Sequence, residues 1–446
     1  MLRLPVFTTL LGLAQATAGE LHPRNVSVSP YFNAVSDFID NIQDQIWPIN
    51  QEIHENPELG WEEERAHQLL TDFMQDQEGW RVTKGVYNIS TAFVAVFDGD
   101  ANQAGPVVSF NAEYDALPQL GHACGHNLIA SSSVAAALAT AKIMQEKGLG
   151  GKVVLFGTPA EESLGGKIRM LEANVFTDHK IDVSIMAHPS TSDTPYAITS
   201  STDRLDLEYI GKEAHASASP YEGINAQDAL ILAYNAISML RQQSVSTDQI
   251  HGIITSGGSR VNVIPNLATA SFQIRSNDEA SLEVWTNRLM DCFEAGAIAT
   301  GATLNLTMRP YGYANMVTNE VMAKSYAKWF TGVGGTLPDP VVDKLREPAG
   351  STDQGDVSHA FPAIHPFFEI VTANGTVPVT GPHTTAFEVA SGSRPAFERA
   401  MRAAKGLAGV AVDILTTDGM MDDIREEFET QNLAKRLVKS LYIQRR

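Results

Sequence analysis

Three observations predict an α/β protein in which a mixed-sheet α/β sandwich is interrupted by a smaller ferredoxin-like α+β unit. Apolar strand-like runs alternate with helical periodicity over the first 200 residues. A β-α-β-β-α-β succession fills the middle of the chain. Helical patterning then returns towards the carboxyl end, as it would if the first layer architecture resumed.

The 446 residues suffice for two or three domains with a sizeable core. At the amino end, Arg3, the apolar run 4–14 and the small-x-small triplet Ala16-Thr17-Ala18 have the make-up of a secretory signal. The run is too short to cross a bilayer. Segment 1–18 is therefore assigned to a signal peptide, with the protein secreted or in the secretory pathway. Four N-x-Ser/Thr sequons, at Asn25, Asn88, Asn305 and Asn374, agree with that route. No other stretch reads as a membrane helix.

Residues 34–198 make the first part of the sandwich. From Asn33 to about Gln77, Val35, Phe38, Ile39, Ile42, Ile46 and Ile53, then Ala66, Leu69, Leu70 and Phe73, recur at helical spacing. Runs 91–97 and 106–110 read as strands, 131–145 as an Ala-rich helix, and 152–156 and 181–187 as buried strands. The character changes near Thr199, and 199–313 form the inserted unit. There 204–209, 253–256, 268–275 and 303–308 read as strands, and 225–241 and 278–300 as helices. Residues 314–446 complete the sandwich, with helical signals from Glu320, a helix over 396–415 and a charged helical tail from Asp418.

The formal net charge of −20 argues against nucleic acid or an anionic membrane as partner, since both call for a basic surface. Two cysteines, Cys124 and Cys292, exclude a disulfide framework.

Chemistry concentrates in Gly121-His122-Ala123-Cys124-Gly125-His126-Asn127. A locally extended path would send His122, Cys124 and His126 to one side. A second cluster, Thr158-Pro159-Ala160-Glu161-Glu162, follows the run Val153-Val154-Leu155-Phe156. Adjacent carboxylates on a turn can divide the work, one as a metal ligand and one as a proton carrier. His188 closes a further strand and His383 lies in a Gly/Pro-rich loop. Cys124, His126, Glu162, His188 and His383 give five protein ligands, too many for one tetrahedral zinc and right for two metals sharing a water. The donor set suits zinc best, with manganese or cobalt as alternatives. In open α/β sheets such clusters gather at the carboxyl ends of strands.

With those residues in place, the sequence resembles the dinuclear-metal amidohydrolase and peptidase family that includes aminoacylase, carboxypeptidase G and hippurate hydrolase. The run 122–130, with Gly350-Ser351-Thr352-Asp353-Gln354-Gly355-Asp356-Val357-Ser358, looks closest to the aminoacylase-like dipeptidases and aminobenzoyl-glutamate hydrolases. The resemblance implies that the inserted unit is a dimerisation or lid domain and the protein a homodimer. It implies that Cys124 bridges or ligates the metals, and that Glu161 is the general base. His215 would reach the partner subunit's active site to stabilise the oxyanion. Asn262 and Arg275 would hold the substrate carboxylate, Arg through its planar fork. Asp115 would stand behind the ligands. His122 would do so too, although its spacing alone also allows a ligand role. His54, His359 and His365 receive no role.

The expected activity is hydrolysis of the amide of a dipeptide or N-acyl amino acid bearing a free carboxylate. Two rivals remain at this stage: a deacylase or processing amidohydrolase for a specialised metabolite, and a non-catalytic binding protein on the same fold.

Overall fold

The computed structural model describes residues 29–348 and 350–443. The assigned signal peptide and the Asn25 sequon lie outside the described residues. Among the described residues twelve strands form three sheets: β1 Trp80–Lys84, β2 Phe93–Asp98, β3 Val107–Ala112, β4 Lys152–Gly157, β5 Val183–Ile185, β6 His188–Ser190, β7 Ser201–Ile210, β8 Gln249–Ser256, β9 Leu267–Ser276, β10 Thr303–Met308, β11 Ala363–Ile364 and β12 Phe367–Glu369.

The large sheet runs β1-β2-β4-β3-β5-β11. Strands β4, β3, β5 and β11 are parallel, while β1 and β2 join antiparallel, so the sheet is mixed. Its central strands, β4 and β3, are buried over nearly their whole length because both faces are covered. Val153 and Leu155 enter the core formed with the helices Phe32–Glu55, His126–Lys147 and Arg394–Thr416. Val154 and Phe156 point the other way, towards Met170, Val175 and Phe176 on the short helices of the opposite face.

The inserted unit follows the expected order: β7, the helix Ala226–Leu240, β8, β9, the helix Glu279–Thr300, then β10. Its sheet runs β10-β7-β9-β8 and is antiparallel throughout. Asn225 caps the first helix by accepting from the N–H groups of Gln227 and Asp228, and Asp278 caps the second through Ser281 N–H. Alternation sends Leu205, Leu207, Phe272 and Ile274 to these helices, forming a separate core. The opposite face carries Arg204, Asp206, Ser271 and Gln273.

Three expectations need correction. The helical run 33–77 is two helices, Phe32–Glu55 and Glu64–Gln75. The break begins at Asn56, which precedes Pro57 and is therefore steered away from helical geometry. Segment 121–127 is not extended: Gly121 and Gly125 take left-handed φ of 62° and 76°, and a helix starts at His126. Finally, the helix His126–Lys147 is long and apolar enough to cross a membrane by length and composition. It is enclosed instead by the helices Phe32–Glu55 and Arg394–Thr416 and by β3, so its apolar character serves the core.

Candidate metal centre

The clusters converge at the carboxyl ends of the parallel strands. Asp115 and Cys124 follow β3, Glu161 and Glu162 follow β4, and His188 follows β5. The turn at Gly125 separates Cys124 from His126 yet keeps both inside the site. His383 arrives from far along the chain, where its N–H donates to Ala123 O at 2.8 Å. Its imidazole is half exposed, at the mouth of the site.

The ligating atoms fall into overlapping triplets, each spanning no more than 4.8 Å: Cys124, His126 and His188; Cys124, Glu162 and His383; His126, Glu161 and Glu162. Cys124 Sγ lies 3.3 Å from His188 Nε2, and His383 Nε2 lies 3.4 Å from Glu162 Oε1. All five expected ligands are thus brought together, with the thiol common to a triplet on each side. His126 Nε2 and Glu162 Oε1 are buried without hydrogen-bond partners. Buried polar atoms are normally satisfied, so these two orphans fit cation ligands. The donor set of thiol, imidazole and carboxylate fits two divalent metals.

The electrostatics of the protein groups agree. Burial drives Glu161 well above the usual carboxylate range, and Glu113 and Glu162 add to the effect. Burial also raises Cys124, with the Glu162 charge adding to it. For Glu162 burial opposes ionisation, but His383 and His126 overcome it and the net direction is down. His188 is held neutral, at about 4, by burial and by His126. His126 Nδ1 is 2.9 Å from Asp115 Oδ1, and the other Asp115 oxygen accepts from Glu162 N–H at 2.9 Å. Asp115 thereby holds both His126 and the backbone of Glu162. His122 faces elsewhere: its ring is 6.3 Å from that of His54, and both its nitrogens are buried and unpartnered.

The turn that carries Glu161 is tightly wound. Ala160 and Ser163 take φ of 58° and 66°, costly for residues with a Cβ. Ala160 N–H donates to Glu63 at 2.8 Å. Gly166 is required, because a Cβ there would sit 1.6 Å from Pro159 O. Tyr313 closes the turn from the other side: its hydroxyl donates to Glu161 O at 2.5 Å and accepts from Gly165 N–H at 3.0 Å. Through its backbone the same Tyr313 exchanges two hydrogen bonds with Thr202, where the inserted unit departs.

A cleft of about 390 Å³ opens from Cys124, Glu161 and Glu162 towards the inserted unit and includes Arg275. Arg275 donates to Ser351 Oγ at 2.7 Å. His215 and Asn262 do not line it. They sit together on an exposed part of the inserted unit, joined by Ala216 N–H to Asn262 O at 3.1 Å. His365, which received no role from the sequence, lines the cleft beside His188 with both ring nitrogens unpartnered. Also unforeseen is the fully buried Lys167, ion-paired with Glu113 and Asp353 directly behind the site.

Comparison with known proteins adds the following. A family model described as a peptidase dimerisation domain matches residues 203–300. The chain is 38% identical over 411 residues, 90% of its length, to the Xaa-Arg dipeptidase of Mus musculus, covering 93% of that protein. It is 31% identical to a p-aminobenzoyl-glutamate hydrolase polypeptide of Escherichia coli (strain K12), over 59% of this chain and 56% of that one. Among solved structures, a dinuclear metal-binding peptidase of the M20 family from Bacillus subtilis superposes with a TM-score of 0.64 at 20% identity, covering 85% of this chain and 99% of that chain.

Proposed function

The chain belongs to the M20 peptidase family, and from that premise we propose how its residues carry out metal-dependent hydrolysis, with zinc, as a secreted homodimer. The activity itself follows from the family: a dinuclear metal enzyme hydrolyses the amide of a dipeptide or N-acyl amino acid. One observation carries the site assignment: Cys124 is common to two ligand triplets, with Glu161 beside them.

Cys124, His126, Glu162, His188 and His383 would hold the metals. Bound divalent cations polarise a carbonyl and bring the pKa of water to roughly 7. Glu161 takes the proton of the attacking water and returns it to the leaving amine nitrogen. Its enclosed, acid-lined position raises its basicity for that task. Asp115 accepts from His126 and so fixes which imidazole nitrogen faces the metals. Arg275 binds the substrate carboxylate, and Asn262, which lies outside its own subunit's cleft beside His215, does so only across the dimer interface.

His215 completes the partner's site. Its Nδ1 accepts from the N–H groups of Ser217 and Ala218 at 3.3 and 3.2 Å. The ring proton is then on Nε2, the tautomer that can donate to an oxyanion. Support for a dimer comes from the matched dimerisation domain and from exposed Ile253, Ile254 and Val261 on or beside the edge strand β8. Support for secretion comes from Asn88, Asn305 and Asn374, all exposed as glycan acceptors must be.

The test is metal analysis with a hydrolysis screen of dipeptides and N-acyl amino acids, with added zinc, manganese or cobalt. About two metals per chain are expected. Turnover should vanish with a chelator and return with metal. Metal-loaded protein inert on both substrate sets would overturn the reading.

A further inference from the structure

Three carboxylates stand close to Nε2 of His126, and the nearest of them has no part in the metal centre described above. Glu113 Oε2 lies 3.6 Å away, Glu162 Oε1 3.8 Å and Glu161 Oε2 4.0 Å. Glu113 is the first residue beyond β3, at the same end of the sheet that delivers Glu161 and Glu162 from β4. Its side chain is buried, and Oε2 has no hydrogen-bond partner. It thereby joins His126 Nε2 and Glu162 Oε1 as a third orphaned atom in one place.

Hydrogen bonding does not account for the pair. The Asp115 carboxylate accepts the N–H at Nδ1 of His126, which leaves a lone pair on Nε2. That lone pair and a carboxylate oxygen face each other at 3.6 Å, beyond the length of a hydrogen bond. Two atoms bound to one zinc ion, at about 2.0–2.2 Å each, stand on the order of 3–4 Å apart, which matches.

Charge points the same way. Lys167, itself fully buried, pairs with Oε1 of Glu113 and with Asp353. Both oxygens of Asp353 are taken, Oδ1 by the Lys167 ammonium and Oδ2 by Lys167 N–H at 2.8 Å. One buried cation thus serves two buried carboxylates, and the surplus negative charge rests on the free oxygen of Glu113. A buried charge without a counter-charge is costly, so a cation at that oxygen is the missing partner. With Oε1 held by Lys167, Oε2 is turned to His126. The cleft is lined by Glu161 and Glu162 but not by Glu113, so Glu113 is placed to serve a metal and not a substrate.

We propose that Glu113 is a further protein ligand of the metal centre, binding through Oε2 the ion that His126 Nε2 holds, with Lys167 as its fixed counter-ion. This rests on the two-metal reading above. The His126 ion then has a carboxylate other than Glu161, which leaves Glu161 free for the proton.

The experiment titrates zinc from a metal buffer into wild-type, Glu113→Gln and Glu113→Gln/Lys167→Met proteins, reading stoichiometry and affinity with no substrate present. Glutamine keeps the size of the side chain and removes its charge. Wild type should take up two ions, and Glu113→Gln should hold one of them at least about tenfold more weakly. The double variant also removes the stranded ammonium and should stay as weak; recovery of wild-type affinity there would mean that Glu113 acts only as the partner of Lys167. Wild-type affinity in either variant overturns the proposal. If the variants fail to fold, an anomalous-scattering crystal structure of the zinc-loaded wild type decides it. An ion about 2.0–2.2 Å from Glu113 Oε2 sustains the proposal, and no ion within bonding distance overturns it. Wild-type protein that binds no zinc overturns the two-metal reading and this one together, whereas two ions bound without Glu113 overturn this one alone.

Discussion

One oxygen of Asp115 lies 2.9 Å from Nδ1 of His126, while its other oxygen holds the backbone N–H of Glu162. A single buried carboxylate thus aims one ligand and anchors the turn that carries another. Charge and hydrogen bonding from His126 keep it ionised against the opposing effect of burial. Asp115→Asn should lower metal affinity about 10–100-fold in a metal-buffer titration, with the fold retained. Unchanged affinity would show that the carboxylate does not orient His126.

Glu161→Gln should keep its metals and lose turnover by at least about a thousandfold, because an amide cannot accept the proton of water. Metal content and kcat measured on the same preparation separate this outcome from simple loss of the site. Near-normal kcat would remove Glu161 as the base.

Cys124→Ser should weaken metal binding more than it lowers the melting temperature of the metal-free protein. The serine hydroxyl is a poor ligand at neutral pH, yet it occupies nearly the same space in a buried position. Full metal occupancy in the variant would take the thiol out of the ligand set.

Glu63 gives the pH dependence of stability a definite sign. Burial first, then the Asp115 charge, raises it from 4.5 to about 7. The folded protein therefore holds a proton that the unfolded chain releases near pH 4.5. Its contribution is complete below that value and is lost as pH rises through 7, a change on the order of 3 kcal/mol. Glu63→Gln should flatten this decline while still accepting from Ala160 N–H. Melting curves of both proteins from pH 4.5 to 8 make the comparison; parallel curves would mean that Glu63 is ionised throughout.

Mixing His215→Ala protein with Glu161→Gln protein tests the exchange of residues between subunits. Each mixed dimer has one site with an intact Glu161 and an intact incoming His215. With free exchange about half the dimers are mixed, so roughly a quarter of wild-type activity returns. Exchange is first demonstrated with differently tagged chains; activity at the background of the separate mutants would then confine His215 to its own subunit.

What could be read from the sequence was what local pattern encodes. Alternating Leu205, Leu207 and Tyr209 announced a half-covered strand, and the continuous run Val153–Phe156 a strand buried on both faces. Glu161, Glu162 and His188 stood out because each stands just beyond such a strand, and Cys124 and His126 because they alternate with His122 between glycines. The path of 121–127 did not, since two left-handed glycines redirect it and leave His122 beside His54. Lys167 and Glu113 received no role from the sequence, and Asp353 entered only as part of the run 350–358. Their burial depends on partners 54 and 186 positions away, which no short-range periodicity records. His365 was passed over for a similar reason: a lone histidine before a proline carries no spacing signal, and only the parallel pairing of β6 with β12 sets it beside His188.

The double hydrogen bond between Thr202 and Tyr313 is where the inserted unit leaves and re-enters the sandwich. The two chain segments that carry the inserted unit lie side by side there. Because the Tyr313 hydroxyl also grips the backbone of Glu161 and Gly165, the junction and the base share one side chain. A substitution that moves Tyr313, at the domain junction, would therefore be felt at the backbone of Glu161 without any contact to its carboxylate.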